Sequence, residues 1–368
     1  MGPDLACIRC QRVRPSAVFG DVGYNKSLGY SRISIFATAA AVCLFGVSNR
    51  VAHKIASVVF QDHILVLSQM LILAYIVSYF STLYVRKRKG IVTTKMLQYP
   101  KWKFGAIGFV EAFGLVMQLS AAVHLPGAII PVLAQINIPF ALLSSRVFLK
   151  RDFHLHQLTG CLLVVLGVLL SLKPYLADAL MAGGGAGHLL GFNAALYASS
   201  YSFASIAAIL KESILHNTDY GEEGMDVFVI NAFSSLSQGL VVMVMVAIMS
   251  IAYGRALPGM GNSPTLYVQR GIGLFLQNPG PPLLYLVLNI LFNVQVVNLL
   301  KKSNTVLTTL SIAFVVPLSF IAFSFPWPML QPVPFFTESL KGLFLLTVGI
   351  VLYNTGIDSL VRIKKKLV

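Results

Sequence analysis

Residues 111–150 read EAFGLVMQLSAAVHLPGAIIPVLAQINIPFALLSSRVFLK, and this stretch decides the fold. Glu111 sits inside an apolar run over 105–123, long enough for a membrane helix. The helix-breaking pair Pro126-Gly127 follows. A second apolar run carries Gln135, Asn137 and Pro139 and ends in a basic cluster of Arg146, Lys150 and Arg151. An ionisable group inside hydrocarbon is costly, so an acid in such a run points to function.

The rest of the chain has the same character. Of its 368 residues, 56% are hydrophobic and only 11% charged, and the mean hydropathy is +0.77. A soluble chain carries about 25% charged residues. Runs of about 20 apolar residues recur, the signature of membrane helices. The short alternating segments of a β-barrel are absent. The net charge of +15 comes from 28 Lys and Arg against 13 Asp and Glu. These charges cluster between apolar runs, as orientation in a membrane requires, so nucleic acid is not an expected partner. Cys43 and Cys161 lie in apolar runs, and Cys7 and Cys10 form an isolated CxxC. The sequence holds no Walker loop, nucleophile elbow, HExxH or metal cluster. No enzyme activity, catalytic residue, metal or cofactor is expected.

The reading is an all-α integral membrane protein with ten transmembrane helices. The spans are about 33–57, 63–85, 104–124, 127–149, 156–174, 189–211, 226–253, 281–300, 304–324 and 338–360. Residues 1–32 form a polar basic tail, a transit-peptide remnant or a cytosolic extension, and 361–368 form a basic C-terminal tail. With ten spans, 22 of the 28 Lys and Arg fall on the side of both termini, which sets those termini in the cytosol or stroma. The loop 254–280 lies opposite, and its residues 265–277 suit a helix on the membrane surface.

Placing Pro139 over Pro317 sets Glu111 on Asn289 and the Pro126-Gly127 break on Asn304-Thr305. Gly160 and Gly167 share their spacing with Gly342 and Gly349. Asp62 opens the second span as Asp226 opens the seventh, each a candidate helix cap. Five spans per unit is an odd number, so two tandem units run in opposite senses. The expected architecture is therefore two inverted five-helix repeats, 33–174 and 189–360, with a substrate site between them.

Polar side chains within the spans are the cavity candidates. Glu111 and Gln118 share a helix face, as do Asn289 and Asn293. Asn231 and Gln238 lie on one stripe of the seventh span. Gln69, Gln135, Asn137, Asn193, Tyr197 and Tyr201 add polar groups from the second, fourth and sixth. In hydrocarbon these groups turn inward, either to line a cavity or to hold helices together. Asn49 and Arg50 lie late in the first span, where Arg50 suits a substrate carboxylate, an ion pair with Asp62 or the headgroups. Hydrocarbon favours the neutral form of a carboxyl group, so Glu111 is the candidate for proton coupling. The glycines serve helix packing, with dimerisation the alternative.

Several short motifs occur in a characteristic order: Asn49-Arg50-Val51 with Lys54, Gly90-Ile91-Val92-Thr93, Glu111-Ala112, Gly160-Cys161, Lys211-Glu212, 226–231 and Leu299-Leu300-Lys301. Together they resemble the chloroquine-resistance-transporter-like family of the drug/metabolite transporter superfamily, with plant plastid members most similar. The resemblance implies a secondary transporter working by alternating access. It implies small thiol peptides, glutathione and γ-glutamylcysteine, as substrates. It also implies a plastid envelope location, with a vacuolar or other endomembrane as the alternative. Rival expectations are another metabolite, peptide, drug or nucleotide sugar as cargo, or a non-transporting scaffold. The expected partners are the small-molecule substrate and membrane lipid, with the chain a monomer or homodimer.

Overall fold

The structure is a computed structural model that describes residues 32–367, apart from 151, 216–224, 254–262, 303–304, 331 and 333–335. The N-terminal tail with its CxxC, Arg151 and the 222–224 turn fall outside the described residues, as does the first part of the 254–280 loop. Among the described residues all extended regular structure is helical. The first helices are Arg32–Val59 (α1), Ile64–Arg88 (α2), Thr94–Leu97 (α3) and Lys101–His124 (α4). The run after Pro126-Gly127 divides into Ile129–Leu133 (α5), a 3-10 turn at Ala134–Ile136, and Asn137–Leu149 (α6). Then come Leu155–Met181 (α7), Ala186–Leu215 (α8), Val227–Tyr253 (α9) and Pro264–Gln277 (α10). Gly280–Lys302 (α11), Thr305–Ala322 (α12) and Thr337–Leu367 (α13) complete the chain.

Seven of these stretches are long and apolar enough to cross a membrane: α1, α2 with its leading turn, α4, α5 to α6, α7, α9 and α11. The expected sixth, ninth and tenth spans are helices that fall outside this set. α8 interrupts its apolar run with Tyr197, Ser199, Ser200, Tyr201 and Ser202. The apolar part of α12 is the shorter stretch Leu310–Ala322. Charged residues enter α13 at both ends.

Helix ends show where local chemistry held and where it did not. The Asp226 carboxylate accepts the Phe228 amide at 2.8 Å, as a cap should. Asp62 instead lies in a 3-10 turn, and α2 starts without a side-chain cap. α7 runs through Pro174 to Met181, beyond the expected end at 174. α10 begins with a Ser263 cap and a proline in its first turn. Lys54, only 6% exposed, donates to the Ala122 and Val123 carbonyls at 2.7 and 2.9 Å, closing the C-terminal end of α4.

α7 lies along α13. A Cβ on Gly160 would stand 2.8 Å from the Gly349 carbonyl oxygen, and one on Gly167 would stand 2.7 Å from that of Gly342. The four glycines therefore face one another within the chain. Ser171 and Ser339 exchange hydroxyl-to-carbonyl hydrogen bonds at the same seam, 3.3 and 3.0 Å long. Elsewhere α1 packs on α11 and α12, while α4 packs on α8 and α9. The outer surface is rich in large apolar side chains, such as Leu73, Phe192, Met243 and Phe344, as hydrocarbon contact demands.

Candidate functional site

Glu111 is paired. Its Oε1 lies 2.6 Å from Nζ of Lys211, near the end of α8. The same ammonium donates to Oδ1 of Asn231 on α9 at 3.1 Å. Three helices thus meet at one charge pair. Neither side chain is fully enclosed, at 27% exposed for Lys211 and 22% for Glu111, because both face a cavity of about 270 Å³. Ser235 and Gln238 of α9 and Tyr75 and Tyr79 of α2 line it too. The two tyrosines are stacked with ring centres 5.7 Å apart.

The shape of this cavity follows from glycines on α4. A Cβ on Gly108 would lie 2.5 Å from the Ser234 carbonyl oxygen, and one on Gly114 would lie 3.1 Å from Cβ of Phe203. Only hydrogen at these positions lets α9 and α8 come this close to α4. Glu111 and Gln118, two turns apart, then face the gap that remains.

Gln118 also belongs to a second cavity, of about 230 Å³. Its Nε2 donates to the Tyr201 hydroxyl at 2.7 Å, and the Tyr201 hydroxyl donates to that of Tyr197 at 3.3 Å. Gln118 and Tyr201 line both cavities and form the wall between them. Beyond it stand Asn49, Arg50 and His53 of α1, with Pro131 from α5, Tyr285 and Phe323. Nη1 of Arg50 and Oδ1 of Asn49 are buried without a hydrogen-bond partner. Tyr197, Tyr201 and Tyr285 line the same cavity as this guanidinium.

The expected site residues divide into two groups. Asn49, Arg50, Glu111, Gln118, Tyr197, Asn231 and Gln238 all line one cavity or the other. The remaining amides do not. Gln69 donates to the Gly239 carbonyl at 2.9 Å and ties α2 to α9. Gln135 turns back to the Pro131 carbonyl of its own run at 3.4 Å. Asn137 accepts from Ser205 at 3.3 Å, joining α6 to α8. Asn289 accepts from the Tyr75 hydroxyl at 2.7 Å and from Asn293 at 3.2 Å, so it braces a wall residue from behind. It makes no hydrogen bond to Glu111.

Not anticipated from the sequence are Lys211 as the partner of Glu111, and Tyr75, Tyr79 and Tyr285 as wall residues. A signal existed for some of them. Tyr75 and Tyr79 are four apart, and Tyr197, Tyr201 and Lys211 fall on one face of α8 at helical spacing. Among the described residues no cluster of potential metal ligands occurs. The arrangement offers an unpartnered guanidinium nitrogen at Arg50, hydrogen-bonding groups along Gln118 and the tyrosines, and a carboxylate–ammonium pair at Glu111 and Lys211.

A family model described as CRT-like, chloroquine-resistance transporter-like, matches residues 35–258. The chain is 32% identical over 356 residues to Protein CLT2, chloroplastic, of Arabidopsis thaliana, covering 93% of this chain and 80% of that one. It is 30% identical over 333 residues to Protein CLT3, chloroplastic, of the same plant, covering 86% and 71%. To the chloroquine resistance transporter of Toxoplasma gondii it is 26% identical over 311 residues, covering 79% of this chain and 34% of that protein.

Proposed function

Because the chain belongs to the chloroquine-resistance-transporter-like family, we propose that it is a secondary transporter of small thiol peptides, glutathione and γ-glutamylcysteine, in the plastid envelope. One observation carries the reading. Two polar cavities share a wall inside an apolar helical bundle, and one of them holds an unpaired guanidinium nitrogen. Arg50 receives a carboxylate, Gln118 and the tyrosines meet peptide amides, and Glu111 is the coupling group. The chloroplastic names of two relatives support the location.

The proposed architecture is ten spans in two inverted repeats, 33–174 and 189–360. α8, α12 and α13 then cross the membrane as part of a packed bundle. Helix contacts support this. The correspondence that matches Gly160 with Gly342 and Gly167 with Gly349 turns each glycine contact into the other. It also turns the packing of α1 on α11 and α12 into that of α8 on α4 and α6. Antiparallel helices related in this way share a two-fold axis in the membrane plane, the symmetry of an inverted repeat.

The test is glutathione uptake by the full chain in proteoliposomes, with and without a pH gradient. Uptake is expected, with Arg50→Ala reducing it and Glu111→Gln uncoupling it from the gradient. Uptake of a nucleotide sugar but not of glutathione overturns the thiol-peptide reading. Unchanged uptake in both variants overturns the site assignment.

A further inference from the structure

Resting on that transporter reading, we propose that Lys211 is a second carboxylate anchor, held in reserve by Glu111. The site then grips a solute with two carboxylates, one at Arg50 and one at Lys211, when Glu111 takes up a proton.

The argument begins with charge. Arg50 faces its cavity with a buried nitrogen that has no partner. Lys211 faces the adjoining cavity, but Glu111 neutralises it at 2.6 Å. An ammonium has three protons to donate, and Glu111 and Asn231 account for two acceptors. While Glu111 is ionised, this cavity offers an incoming anion no free positive charge. A proton on Glu111 removes the pairing charge, yet Asn231 still holds the ammonium at the cavity wall. An ammonium that loses its counter-charge in a partly enclosed site is paired again by a solute carboxylate. The exchange balances. Glu111 gains one proton and becomes a neutral acid, and Lys211 changes partner from Glu111 to the solute carboxylate without changing its own charge.

The surroundings suit this assignment. From α2, Tyr75 and Tyr79 face the Glu111 cavity, and from α8 come Lys211 and Tyr201. α9 contributes only non-ionising Asn231, Ser235 and Gln238. On α1, Arg50 and His53 lie in the neighbouring cavity, and Lys54 is engaged with the α4 carbonyls. Lys211 is thus the one cation among the described residues lining the Glu111 cavity. Gln118 and Tyr201 line both cavities, so Arg50 lies on one side of their shared wall and Lys211 on the other.

Two probes decide it: glutathione, with two carboxylates, and its glycine ethyl ester, with one. Uptake of each into proteoliposomes is compared at about pH 4 and about pH 8, on either side of the ordinary glutamate value. The natural chain is expected to prefer glutathione by roughly tenfold at the acid pH, the worth of one charge-assisted hydrogen bond, and less at the alkaline pH. Lys211→Met is expected to bring the ratio toward one, and Lys211→Arg to keep it. Glu111→Gln, neutral at every pH, is expected to show the preference at both. A preference that survives Lys211→Met overturns the proposal. So does a preference that still varies with pH in Glu111→Gln, the deciding arm if Lys211→Met takes up neither probe. Failure of the underlying transporter reading looks different, because the natural chain then takes up neither probe at either pH.

Discussion

Alanine at Gly167 is a substitution with a calculable cost. The added methyl would stand 2.6 Å from the Leu346 amide nitrogen and 2.7 Å from the Gly342 carbonyl oxygen. Comfortable carbon contacts need about 3.5 Å, so α7 and α13 must part by roughly 1 Å. Both obstacles are backbone atoms, so no side chain can rotate away. Overpacking of this kind costs about 1–3 kcal/mol, and alanine returns about 1 kcal/mol of helix propensity, leaving a net loss of up to about 2 kcal/mol. The same change at Gly273 on α10, where a Cβ meets nothing within 4 Å, is expected to stabilise by about 0.5–1 kcal/mol. Gly160→Ala and Gly167→Ala together are expected to cost less than their sum, because one separation of the helices relieves both clashes. The assay is thermal loss of monodisperse protein in detergent. Stabilisation of Gly167→Ala equal to that of Gly273→Ala refutes the reasoning, since the two helices then do not meet at this glycine.

Two further outcomes follow from single contacts. Asp226→Asn removes the charge that Arg86 holds at 2.6 and 2.9 Å, where the carboxylate is 6% and the guanidinium 33% exposed. Its expected cost is about 2 kcal/mol, below that of a fully buried pair, and removing both charges should restore part of it in the same melting assay. Burial pushes the Tyr267 phenol up to about 12, and its hydroxyl accepts the Leu65 amide at 3.3 Å. Its contribution to stability is complete below about pH 10, the ordinary tyrosine value, and is lost as pH rises through about 12. Tyr267→Phe is expected to lower neutral stability by about 1 kcal/mol and to flatten the alkaline loss, and an unchanged alkaline limb contradicts this.

Much of the fold is legible in the sequence because its causes are local. Apolar runs with basic ends form helices wherever they occur, and Pro126-Gly127 ends one at any position in space. α10 was readable from the apolar density of 265–277. The sharing of one face by Glu111 and Gln118 is a matter of helical period alone. The four glycines announced a close approach by their spacing.

The roles of the polar groups had a different origin. Gln69 and Gln118 have the same chemistry and both lie in apolar helices, yet Gln69 ties two helices together while Gln118 stands between two cavities. Which of these an amide does depends on what its face meets, and a helix's own period carries no information about its neighbour. The same reason hid Lys211 from Glu111, because they lie far apart in the chain on α8 and α4. The sequence by itself determined that an acid would sit within an apolar helix, at a cost. Only the tertiary structure decided that a lysine meets it, and that Arg50, across the Gln118–Tyr201 wall, keeps a buried nitrogen without a partner.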